Sequence, residues 1–263
     1  MTRFFRGNPR LLLQALPVAV GVILLKWLYD GSSARQLELS PLLTGVIAAE
    51  VFIVGFMLAG TTVDFKEAER LPGELAASLE TIADECVIID DELKLPEARQ
   101  CVAQLVEIEE SVHRWLLQDQ GLDGVMAHLR ALNPLFMVFA PRVQAGFTTR
   151  LKAEQAAMRR LVIRMDTMRR TSYVSAGYLI AESTAVVILV LLLITEVGEI
   201  ISTVLVVGVI SFLLVYALAL IRDLDNPFEY RNGEPGAADV NLGVLERSGD
   251  RLRGLLAAMG ASA

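Results

Sequence analysis

The chain has 263 residues, 54% of them hydrophobic and 21% charged, with a mean hydropathy of +0.49; it is too apolar for an ordinary soluble domain and belongs to the membrane class. Its formal net charge of −7 argues against a nucleic-acid partner, whose phosphates require a basic surface. Two cysteines, Cys86 and Cys101, exclude a disulfide scaffold. With His113 and His128 they complete no zinc spacing, so packing roles, and neither metal nor cofactor, are expected.

The first segment carries Arg3, Arg6 and Arg10 and gives way to an apolar run, Leu11–Tyr29. That run is too long for a signal-peptide core and ends in Lys26, Trp27 and Tyr29, so it reads as a retained transmembrane helix. Lys26 is placed to snorkel, Trp27 and Tyr29 suit an aromatic belt, and Pro17 is a candidate kink. Residues 30–41 form a polar connector. The second span runs from Leu42 to Val63, enough to cross about 30 Å of hydrocarbon. Its end is abrupt: Asp64, Lys66, Glu67, Glu69 and Arg70 follow at once.

From Asp64 to Ser172 the chain is rich in Glu, Leu, Ala and Arg. Apolar residues recur at helical spacing, at Leu71, Leu75, Leu79 and Ile82 and again at Val102, Leu105 and Ile108. Helix breaks are expected at Pro96, at Gln120–Gly121 and at Asn133–Pro134 with Pro141 following. The last helix, from about Gln144, carries Arg150, Lys152, Arg159, Arg160, Arg164, Arg169 and Arg170 and is expected to run on into the third span. Nothing shows strand-like alternation. Tyr173–Thr195 and Ile200–Ile221 form a hydrophobic hairpin about the connector Glu196, Val197, Gly198 and Glu199. After Arg222 comes a turn-rich tail and a short amphipathic helix over Leu245–Leu256.

The expected architecture is therefore an all-α membrane protein with four transmembrane helices in two hairpins and a helical cytosolic domain between spans 2 and 3. Its segments are 1–63, 64–172, 173–221 and 222–263. Basic residues flank the start of span 1, the start of span 3 and the end of span 4, whereas the opposite connectors hold only Arg35. The positive-inside rule places both termini and the helical block in the cytoplasm. The chain is expected in a lipid bilayer, and for a bacterial protein in the inner membrane.

Glu50 and Glu182 fall near the middle of spans, where an ionised side chain costs at least about 2.5–3.5 kcal/mol unless it meets a partner or water. Each is a pathway candidate, and the alternative is a protonated or hydrogen-bonded pair joining span 2 to span 3. On a helix Glu50 shares a stripe with Ile53, Val54, Met57, Leu58 and Thr61. The stripe reads as an acidic entrance, an apolar constriction and a hydroxyl exit; plain helix packing is its alternative. One subunit has no room for a pore, so conduction requires a ring of copies that repeats each residue.

Residues 55–75, GFMLAGTTVDFKEAERLPGEL, resemble the end of the second span of bestrophins. Gly55, Phe56, Asp64, Glu67, Ala68, Leu71, Gly73, Glu74 and Leu75 occupy the matching positions. The tail is also similar, through Asp225, Asn226, Pro227 and Phe228 followed by Asp239, Asn241 and Leu242. Phe65 and Lys66 stand where bestrophins carry an aromatic group, and the acidic calcium clasp of animal members has no counterpart in Asp223, Asp225 and Glu229. The resemblance is thus to a divergent bacterial homologue. It implies a homopentameric channel with one axial pore lined by the second span, and a tail, Asp225 to Phe228, that wraps a neighbour. It also implies permeation by small monovalent ions: animal members pass anions, bacterial relatives can prefer cations, and Glu50 leans towards cations. The competing expectation is a non-conducting membrane scaffold or sensor whose cytosolic helices bind a partner. No phosphate loop or nucleophile–base pattern suggests an enzyme.

Overall fold

The computed structural model describes residues 9–32, 37–38, 41–171, 175–196, 199–230 and 238–261. Arg3, Arg6, Arg35, Ser172, Tyr173, Val197 and Gly198, which entered the expectations above, lie outside these. The described residues form eight helices and one two-residue parallel bridge. They fall into two compact units, Met1–Phe65 with Ser172–Asn226, and Lys66–Thr171 with Pro227–Ala263.

The apolar unit contains α1 (Pro9–Asp30), the first part of α2 (Pro41–Leu93), α6 (Ser175–Ile194) and α7 (Ile200–Leu224). All four helices are long and apolar enough to cross a membrane, and the chain is an integral membrane protein. α1 lies against α7 through small residues: Ala15 and Ala19 are buried, and a Cβ at Gly208 would stand 2.9 Å from the Ile23 side chain. In hydrocarbon no hydrophobic force draws helices together, so close approach at small residues does that work. Within this all-α fold one two-residue bridge occurs: β1 (Leu37–Glu38) pairs in parallel with β2 (Thr195–Glu196) by backbone hydrogen bonds.

The second unit is polar outside and densely packed within. It holds the rest of α2, α3 (Pro96–Gln118), α4 (Leu122–Phe139), α5 (Ala145–Arg170) and α8 (Gly243–Ala261). Every residue of the two expected apolar stripes, Leu71 to Ile82 and Val102 to Ile108, is buried in its core. α2 ends where Lys94 turns left-handed at φ 51°, and Leu95 stays extended before Pro96 opens α3. Asp119, at φ 53°, closes α3, and Gly121 leads into α4.

Three boundaries differ from the sequence reading. Pro134 sits inside α4, where burial of Leu132, Phe136 and Phe139 around it outweighs the lost backbone hydrogen bond. α5 stops at Arg170, and Thr171 is extended, so it does not run on into the third span. α8 is longer than Leu245–Leu256, because Met259 extends its buried side towards Ala261.

Candidate functional site

The second span presents two faces within the apolar unit. On one, Glu50, Val54, Met57 and Thr61 are buried, with Ile53 and Leu58 partly so, in a cluster that includes Ala181, Ile188 and Leu192 of α6 and Val207 and Leu214 of α7. The opposite face carries Phe52 and Phe56, 74% and 68% exposed, with Ala59 and Val63 also exposed. The sequence reading put the Glu50 stripe on a shared axis. In the structure Glu50, Val54, Met57 and Thr61 are instead covered within their own subunit, and Ile53 and Leu58 are partly covered.

Glu50 Oε2 accepts a 2.5 Å hydrogen bond from Thr184 Oγ1, and Glu50 Oε1 is buried with no partner among the described residues. Glu50 therefore does join span 2 to span 3, but through Thr184 and not through Glu182. Glu182 is ion-paired with Arg222 of α7 and is 38% exposed. Thr61 spends its hydroxyl on Met57 O of its own helix, at 2.9 Å. Ser211 of α7 is buried with no hydroxyl partner among the described residues.

Lys26 does not snorkel. It is fully buried, and its Nζ donates to Asp30 Oδ1 and to Thr195 O, each at 2.6 Å. The lysine thereby ties the end of α1 to the strand that follows α6.

In the polar unit, Phe228 lies fully buried in the core of its own chain, Val240 N donates to Pro227 O at 2.8 Å, and Tyr230 Oη donates to Val240 O at 2.8 Å. The Phe228 ring, which the resemblance put in a tail that wraps a neighbour, is seated in the core of its own subunit. Asn226 Oδ1 is buried without a partner among the described residues, and Asp225 N donates to Ile221 O at 3.0 Å, closing α7. Burial pushes the Tyr230 hydroxyl above the usual tyrosine range, with Asp239 acting in the same direction. Between α3 and α8 a cleft of about 590 Å³ is lined by Glu109, Glu110, His113, Glu246, Asp250 and Arg253. Glu109, almost fully buried, meets Arg253 at 3.4 Å and His113 at 3.0 Å. Cys86 and Cys101 are free and buried.

The sequence pointed to Glu50 and Glu182 but missed their partners, Thr184 and Arg222. Thr184 lies two residues from Glu182 in the same apolar run, so a hydroxyl close to that acid was readable in the sequence. The exposed face of α2 left no such signal, because both faces of residues 51–63 are apolar apart from the hydroxyl pair.

These features define a polytopic helical membrane protein whose second span carries one self-packed face and one outward face. No protein-family model matches the sequence, and no curated protein matches it. Solved structures do. The chain aligns over 94% of its length with a bacterial bestrophin homologue from Klebsiella pneumoniae. For a tryptophan-to-alanine variant the TM-score is 0.74, at 17% identity and 96% coverage of that chain. For a tyrosine-to-alanine variant it is 0.73, at 15% identity and 98% coverage. The structure phased by zinc anomalous scattering also gives 0.73, at 17% identity and 97% coverage. At these identities the likeness is one of fold, and the fold is bestrophin-like.

Proposed function

We propose that the chain is one subunit of an oligomeric, bestrophin-like channel for small monovalent ions, with the pore lined by the outward face of the second span. The observation that carries this reading is that face: Phe52, Phe56, Ala59 and Val63 recur at helical spacing on a span whose other face is already packed. Among the described residues, α2 is also the one span that continues unbroken into the polar unit, to Leu93. A path through the membrane and beyond would follow such an element. Repeated around a ring, the two phenylalanines form apolar constrictions of the kind that gate by dewetting. Five copies is the number the family resemblance implies. The cytoplasmic placement of both termini rests on Arg169 and Arg170 at the end of α5 and Arg222 at the end of α7.

The inward turn of Glu50 favours the second reading, a non-conducting scaffold, because it removes the ring of charge expected at the pore mouth. Purified protein in planar bilayers under a potassium chloride gradient separates the two. Currents with a defined reversal potential support the channel and give the sign of the ion. Silence from an intact oligomer supports the scaffold.

A further inference from the structure

Cys86 and Cys101 are the two thiols of the chain, and the polar unit brings them together. α2 and α3 are joined by a tight turn at Lys94 and Leu95, and the cysteines stand about two helical turns from it, one on each helix. Both are free and fully buried in one apolar cluster with Ile82, Ile89, Ala98 and Leu105. Their side chains are hydrogen-bonded to each other. A buried cysteine commonly acts as a small apolar residue, but two from different helices that touch through sulfur put the reacting atoms of a disulfide in contact. Closing them to about 2.0 Å is then a small movement.

We propose that Cys86 and Cys101 form a peroxide-sensitive modification site, a dithiol that closes to a disulfide and staples α2 to α3. One sulfur, as its thiolate, attacks an oxygen of hydrogen peroxide. The O–O bond breaks, and a sulfenic acid forms as the departing oxygen leaves as water with the proton the thiol gave up. The second sulfur attacks the first, its own proton goes to the departing hydroxyl, and a second water leaves as the S–S bond forms. Two thiols are oxidised, and one peroxide is reduced to two waters.

The hydrogen bond to Cys101 and burial push the Cys86 thiol well above the usual cysteine range, so the closed core keeps its protons and reacts slowly. Hydrogen peroxide is neutral and little larger than water, so the local openings that admit water admit it too. The site therefore answers to a small peroxide, and a dithiol reductant reverses it by exchange. This inference does not depend on conduction.

Peptide mapping of the full chain in lipid nanodiscs tests it. Protein freed of reductant is treated with hydrogen peroxide, denatured in a thiol-blocking reagent and digested with trypsin. Cleavage at Lys94 and Arg99 separates the cysteines, so the disulfide shows as peptide 71–94 joined to peptide 100–114. The linked pair is expected in wild type, with a melting temperature higher by about 5 °C or more because the staple restricts the unfolded chain. Dithiothreitol should reverse both, whereas it leaves oxidised methionine unchanged. Cys86→Ala, which keeps a small apolar side chain in the core, should show neither the link nor a reversible rise. Thiols that stay free after peroxide, or that pass to sulfinic or sulfonic acids with no linked pair, would overturn the assignment. A linked pair that leaves the melting temperature unchanged would overturn the staple.

Discussion

The two units of this chain solve opposite problems with the same residue types. The four candidate spans bury only 22–28% of their most apolar windows and leave Phe52, Phe56, Leu13 and Ile201 well exposed. In the polar unit Phe136, Phe139 and Phe228 are fully buried, and the exposed face is charged. Water drives large apolar side chains inward, about 25 cal/mol per Å² of apolar surface, whereas lipid tails are indifferent to them. The apolar unit instead spends its interior on contacts that lipid cannot replace: Gly208 against Ile23, Lys26 on Thr195 O, Glu50 on Thr184. Phenylalanine is therefore a core residue in one unit and a surface residue in the other, while a buried carboxylate partner matters in both.

The largest expected effect tests that contrast directly. Phe228→Ala removes a fully buried ring from the polar core and should cost about 3–5 kcal/mol of stability. Denaturant melts of the full chain, followed by the fluorescence of the buried Trp115, would report it. A loss below about 1 kcal/mol would mean that the ring is not seated in its own subunit, and would revive the expectation of a tail that docks on a neighbour.

A smaller effect concerns two glycines of α8. Alanine normally stabilises a helix over glycine by up to about 1 kcal/mol. At Gly254 a Cβ would meet nothing within 4 Å, so Gly254→Ala should raise the melting temperature. At Gly249 a Cβ would collide with the Glu109 carboxyl group, both Oε2 and Cδ. Glu109 is buried and held by Arg253 and His113, so it has little room to retreat. Gly249→Ala should cost about 1–3 kcal/mol, and the opposite signs of the two variants are the check. Equal stabilisation at both sites would show that α8 is not pressed on α3 at Glu109.

Tyr230→Phe should cost about 1 kcal/mol, one net hydrogen bond to Val240 O. It also carries a pH signature. The folded state holds the phenolic proton more tightly than the unfolded chain. That contribution is complete below the unfolded tyrosine value of about 10 and is lost as pH rises above it towards the folded value. Wild-type melting should therefore fall more steeply than that of Tyr230→Phe above about pH 10. Parallel alkaline limbs would remove Tyr230 from the buried set.

Much of this was legible in the sequence, and what was not has physical causes. The four spans and the buried stripes of α2 and α3 follow from runs and periods long enough to be unambiguous. Pro134 was read as a break because local chemistry disfavours it in a helix, yet three buried side chains around it decide otherwise. The Glu50 stripe was assigned to a pore because polar residues in spans commonly meet water. A threonine on another helix meets one oxygen of the carboxyl instead, and the sequence of one span cannot show which neighbour it will meet. Phe228 was given to a neighbour by resemblance, whereas its burial depends on a fold that brings the chain after α7 onto the polar core.

The smallest stability effect is expected where the functional effect is largest. Phe56 is 68% exposed in the subunit, so Phe56→Ala leaves few contacts to lose and should change stability by no more than about 0.5 kcal/mol. If its ring faces an axis shared by several copies, the same substitution widens an apolar constriction, favours its hydration and lowers the barrier that dewetting sets to ions. Single-channel conductance in planar bilayers should then rise, and Phe52→Ala should act in the same direction. Met57→Ala provides the control, since Met57 is buried against α6 and α7 and should lower stability with little direct effect on current. A rise in current from Met57→Ala with none from Phe56→Ala would return the pore to the Glu50 face. Unchanged currents from both phenylalanine variants would mean that the outward face meets lipid and that the ion path lies elsewhere.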